Sequence, residues 1–135
     1  MAELRISEKL KQLIESELSE AAFYKMLAKT SPNTFLMQLM LELSNDEAEH
    51  ADQCINILRT TQGARYVPKT ITETGCSPDF TANLRLQIDR EIEQYRKYSY
   101  EYINSSFVPL KNFYFKAQTD ELTHALKLLL IIKTQ

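Results

Sequence analysis

The sequence predicts an all-α four-helix bundle with one long crossover between helices 2 and 3. Three observations carry that expectation. Glycine and proline are scarce, two and four in 135 residues, so the chain is interrupted in few places. Between the interruptions, apolar residues recur at the three- and four-residue spacing of a helix that buries one face. The interruptions are also unequal, two short and one long.

The first helix is expected over residues 4–30, closed by a short turn at Pro32 and Asn33. The second, 34–62, carries the stripe Leu36, Met40, Leu43, Cys54 and Ile57. Gly63, Pro68, Gly75 and Pro78 mark a long polar connection, and the third helix follows at 80–104. Asn104-Ser105-Ser106 and Pro109 form the last break, and a fourth helix at 108–133 is striped by Leu110, Tyr114, Ala117, Leu128 and Ile131. Short turns make neighbouring helices antiparallel. The middle connection of about 17 residues reaches ~55 Å at ~3.3 Å per residue, more than the ~35 Å of a helix of about 23 residues. It can run the length of a bundle, which is the ferritin-like topology. Residues 1–135 are expected to form this one domain.

Both stripes skip positions that hold ionisable side chains. On the second helix these are Glu47 and His50, within "NDEAEHADQ"; on the fourth they are Glu121 and His124, within "TDELTHALK". The chain has no other histidine. A shift of 74 residues superimposes the two motifs, Asp46-Glu47-x-x-His50-Ala51 on Asp120-Glu121-x-x-His124-Ala125. The same shift lays Glu17 on Glu91, Tyr24 on Tyr98, Leu10 on Leu84 and Ile14 on Ile88. The chain therefore reads as two helical hairpins of common plan.

Residues three apart on a helix share a face, so each glutamate and histidine pair can address one point. Four glutamates and two histidines converging in a bundle core match a carboxylate-bridged di-metal site. Charge supports the same reading, because four buried carboxylates repel one another whereas two divalent cations balance them. Glu17, Glu47, His50, Glu91, Glu121 and His124 are the expected metal ligands. Glutamate and imidazole suit iron or manganese and also hold zinc. Around them, Asp46 and Asp120 either accept the non-coordinating N–H of a histidine from the facing hairpin or sit exposed on the flank of the stripe. Tyr24 and Tyr98, seven residues beyond Glu17 and Glu91, either hydrogen-bond the site carboxylates or fill core. Cys54 reads as a small core residue.

Composition excludes several other roles. A net charge of −2 with dispersed lysines and arginines argues against nucleic acid as a partner. Cys54 and Cys76 form no Cys-x-x-Cys pair. The charged N-terminus has no apolar signal-peptide core, and the run Leu128–Ile132 is too short to span a bilayer. A soluble cytoplasmic protein without membrane attachment is expected. The tyrosine-rich "YRKYSYEY" of the third helix reads as packing and dimer surface, since it offers more aromatic area than one bundle face needs, which suggests a homodimer.

From about Leu4 to Ile132 the sequence resembles the ferritin-like superfamily, and within it short rubrerythrin-type di-iron proteins. The set Glu17, Glu47-x-x-His50, Glu91 and Glu121-x-x-His124 carries the resemblance. It implies two metal ions per chain, iron by preference, with Glu47 and Glu121 bridging and Glu17 and Glu91 terminal. It also implies reduction of hydrogen peroxide or O2, or oxidation of Fe(II) for storage. Two departures stand out. No rubredoxin-type cysteine knuckles are present, so an external electron donor is expected. The extra glutamate that rubrerythrins place three residues after the third-helix ligand is Gln94 here, while the equivalent place on the first helix holds Glu20. Glu20 is accordingly the expected catalytic proton carrier.

The leading expectation is a peroxide-reducing di-iron oxidoreductase. Its alternatives are a ferroxidase or iron-handling protein, a metal-stabilised bundle acting as an interaction module, and a hydroxylase with Phe23, Phe113 and Phe115 around a substrate space.

Overall fold

Asn33 decides where the second helix begins. Its extended backbone leaves the helical path, and its side chain accepts the Leu36 amide at 2.9 Å, closing one of the open donors of the first turn. The computed structural model describes residues 2–63, 65–71 and 77–134, with side chains from residue 5 onward. They form α1 (Ala2–Lys29), α2 (Thr34–Gln62), α3 (Phe80–Asn104) and α4 (Val108–Thr134), and among the described residues there is no strand. The expected boundaries hold to within two residues. The order of elements, two helical hairpins joined by a long connection, is that of a ferritin-like four-helix bundle. Gly75 and Cys76 lie outside the described residues.

The chain divides into two units, Met1–Thr74 and Gly75–Gln135. In the first, Ser31 Oγ bonds the Leu27 carbonyl at 2.8 Å, and α2 then folds back along α1. The buried positions of α1 include Leu10, Ile14, Glu17, Ala21, Tyr24 and Ala28, an alternation of three- and four-residue steps with a glutamate inside it. Facing them, α2 buries Leu36, Met40, Leu43, Ser44, Glu47, His50, Cys54 and Leu58, while Ile57 is only half-buried. Ser44 Oγ donates to the Ala21 carbonyl at 2.8 Å, so the two helices are tied side by side one turn from Glu17 and Glu47. Gly63 ends α2 in the left-handed region, at φ 64°, where its amide closes onto the Arg59 carbonyl at 2.9 Å. The connection then passes back over α1, with Tyr66 beneath the Lys11 ammonium at 5.8 Å.

In the second unit, Asp79 caps α3 by accepting the amides of Thr81 and Ala82. Pro109 stands in the first turn of α4, where its missing N–H costs nothing. The turn between the helices is closed by Lys111, whose Nζ donates to the Tyr102 carbonyl at 2.9 Å and lies 4.5 Å over the Tyr102 ring. Ser99 Oγ donates to Gln118 Oε1 at 2.6 Å across the hairpin. Tyr98, Phe113 and Tyr114 pack as three mutually contacting rings, with centroids 5.6 to 5.7 Å apart. Leu110, Tyr114, Ala117, Leu128 and Ile131 are all buried, as their spacing requires.

One expectation is corrected. Phe115 is 55% exposed and lies against Tyr102, so it lines no interior space, unlike the buried Phe23 and Phe113. On α3 the tyrosines are divided between core and surface, Tyr98 being fully buried and Tyr100 exposed. The longer exposed apolar run is on α4, at Phe115, Leu122, Leu126, Leu129 and Leu130.

Replacing the cap, Asn33→Ala, is expected to lower stability by about 1 kcal/mol. Urea unfolding of the variant beside Lys25→Ala, an exposed mid-helix change, measures it.

Candidate metal centre

In each hairpin, two glutamates and a histidine gather at one level of the antiparallel pair. Within the first unit, His50 Nδ1 lies 3.3 Å from Glu17 Oε2 and 3.9 Å from Glu47 Oε1. Within the second, His124 Nδ1 lies 3.6 Å from Glu91 Oε2 and 3.9 Å from Glu121 Oε1. The repetition seen in sequence is thus a repetition of geometry. All six residues are at most 1% exposed. One ligand atom from each of Glu17, Glu47 and His50 lies within 4.8 Å of the other two, and the same holds for Glu91, Glu121 and His124.

The local sequence explains the placement. Glu47 and His50 are three apart on α2, so both project from one face toward the partner helix. Glu17 stands at the matching height on α1, one turn before Ala21, whose carbonyl is held by Ser44. The second hairpin achieves the same height with a different clasp, Ser99 Oγ lying 2.6 Å from Gln118 Oε1 and 2.8 Å from the Tyr95 carbonyl oxygen, with one proton to share between them. Ser44 and Gln118 are equivalent under the 74-residue shift, so the tie is kept while its chemistry differs.

Each hairpin offers two hard carboxylates and one imidazole in a site closed to solvent. That donor set fits iron, manganese or zinc. Placing two carboxylates together without compensating charge is costly in a core, and a divalent cation removes the cost. The buried glutamate and histidine cluster is therefore compatible with a di-iron site.

A family model described as rubrerythrin matches residues 8–132. The chain belongs to the rubrerythrin family. No match appears among curated proteins or solved structures. The six residues expected as ligands are all buried.

The surrounding residues are less uniform. Tyr24 and Tyr98 are fully buried, whereas Glu20, Asp46 and Asp120 are half-buried on the margins of their helices. Tyr98 Oη accepts from Gln94 Nε2 at 3.0 Å, so one bond of that hydroxyl goes to the residue standing in place of the family's extra glutamate. Sequence reasoning passed over Gln87, which is fully buried and donates from Nε2 to Glu91 Oε1 at 3.0 Å. The signal was available, since Gln87 lies one turn before Glu91 on its buried face. Cys54 is core, as expected. Burial pushes its thiol well above the usual range, and the nearby Glu17 charge adds to the effect.

A protonated, buried thiol is a poor nucleophile. In a chain carrying Cys76→Ser, Cys54 is expected to resist an aromatic disulfide reagent in the native state and to react fully in guanidinium. The absorbance of the released thiolate reads both.

Proposed function

We propose that Glu17, Glu47, His50, Glu91, Glu121 and His124 hold two metal ions, iron in the cell, and that the protein is an oxidoreductase reducing hydrogen peroxide. The single observation carrying this reading is the paired burial of Glu-x-x-His with a lone glutamate in both hairpins of a rubrerythrin-family chain. Glu17, Glu47, Glu91 and Glu121 would supply the carboxylates and His50 and His124 the imidazoles that hold them. Iron held there supplies the two electrons that reduction of peroxide to two waters consumes.

Two protons must accompany those electrons, and the chain's residues divide that task unequally. Glu20 is half-buried, one turn from Glu17, and a carboxyl group there can relay a proton between solvent and the core. Gln94 occupies the equivalent place on α3, but an amide releases no proton at neutral pH and this one donates to Tyr98. Proton delivery therefore falls to α1. Tyr24 and Tyr98, fully buried two turns from Glu17 and Glu91, keep water from the core beside them. Asp46 and Asp120 serve as acceptors for the histidine N–H that does not face metal.

The partners in this reading are an external electron donor and a second copy of the chain; no helix is long and apolar enough to cross a membrane among the described residues.

Anaerobic Fe(II) loading and desalting should leave about two irons per chain, as a dinuclear carboxylate site requires. His50→Ala with His124→Ala should retain little. Stopped-flow oxidation of the reduced protein should be faster with peroxide than with O2, and Glu20→Gln should slow it about 10²-fold at unchanged iron content. Equal rates with the two oxidants would remove the peroxide assignment, and sustained Fe(II) turnover beyond the bound pair would replace it with ferroxidase activity.

A further inference from the structure

The exposed apolar side chains of α4 fall on one line. Val108, Phe115, Leu122 and Leu129 follow one another at seven-residue steps, which return to within about 20° of the same direction on a helix. Leu126 and Leu130 widen the line in its C-terminal half. All six are between 39% and 64% exposed, whereas Glu121, His124 and the core residues of α4 occupy the buried face. The two acids of the helix stay off the line, Glu121 in the core and Asp120 half-buried. On α3 the comparable line from Leu86 to Tyr100 is broken midway by the exposed Glu93. Six such side chains in one stripe present on the order of 500 Å² of apolar surface, a size that marks an interaction site.

We infer that this stripe is the face through which two copies of the chain pair, α4 against α4 and antiparallel, with the two-fold axis at Leu122. The inference rests on the second copy proposed above as a partner and is independent of the metal. The spacing itself selects the occupant. Reversing the chain about Leu122 lays Phe115 on Leu129 and leaves Leu122 on itself, so the line complements its own copy, as an isologous interface requires. Leu126 then stands near the height of Thr119 in the other copy, a large side chain against a small one. Two such faces together bury about 1,000 Å², the area that a specific interface must reach. Lys111 and Lys133 would face each other as like charges, but they lie outside the stretch from Phe115 to Leu130, toward the ends of the helix, where helices packed at an angle diverge. The Lys111 ammonium is moreover held by the Tyr102 carbonyl of its own chain.

Sedimentation equilibrium of the full chain should show a dimer. Leu122→Glu sets two carboxylates face to face at the axis and should weaken association about 100-fold or more, whereas Tyr100→Glu, on the exposed side of α3, should leave it within about twofold. Crosslinking tests the register directly. In chains carrying Cys76→Ser, Leu122→Cys should give a disulfide-linked dimer with diamide, because helices packed about 8–10 Å apart bring facing positions within disulfide reach. Tyr100→Cys should not. Circular dichroism melts identify a glutamate variant that fails to fold, in which case crosslinking decides. A dimer that survives Leu122→Glu, or that crosslinks through Tyr100→Cys and not through Leu122→Cys, overturns the inference while leaving the second copy in place. A monomeric parent overturns both, and neither result bears on the metal, which iron binding tests separately.

Discussion

Burying ionisable groups on the faces that hold the helices together is the constraint from which the other features follow. A glutamate in an apolar stripe gives up hydration, and two of them beside an imidazole need compensating positive charge in the same place. A metal ion meets that need only if several oxygens and nitrogens stand within reach of it together. The chain meets that geometric condition by spacing candidate ligands three apart on α2 and α4 and adding one glutamate from the neighbouring helix. Everything that sets the relative height of paired helices then bears on the site. The Ser44 bond to Ala21 and the Ser99 bond to Gln118 both act between paired helices in this way.

The two hairpins meet the constraint with different surroundings. Beyond the ligands, the second packs Tyr98, Phe113 and Tyr114 together, where the equivalents of the last two in the first hairpin are Leu39 and Met40. Gln94 and Gln87 on α3 stand opposite Glu20 and Leu13 on α1 in the repeat. The α3 side thus has amides that hold neighbours by hydrogen bonds. The α1 side has a carboxylic acid at the margin and an apolar residue within. The glutamate and histidine set is duplicated while the residues around it have diverged.

Burial serves a second purpose. A thiol sits one turn past His50, yet Cys54 is fully enclosed and held protonated by desolvation and by the charge of Glu17. Such a thiol contributes as a small apolar side chain and is protected from the oxidants the site is proposed to handle.

Helix positions, the long connection and all six candidate ligands were legible in the sequence alone, because helical period and the 74-residue repeat are properties of spacing. Glycine and proline scarcity made the boundaries easy to place. Spacing says which face a residue occupies, however, and not which atom it meets there. The choice of Nδ1 on both histidines, the Gln87 bond to Glu91, the Gln94 bond to Tyr98 and the helix-to-helix clasps depend on rotamers and on the relative height of neighbouring helices. Those are settled by packing. The outward turn of Phe115 has the same origin, since its place on α4 is one position past the buried pair Phe113 and Tyr114 and off the face they share. The sequence determined which residues are brought to the core; only the tertiary structure decided which of their atoms face one another.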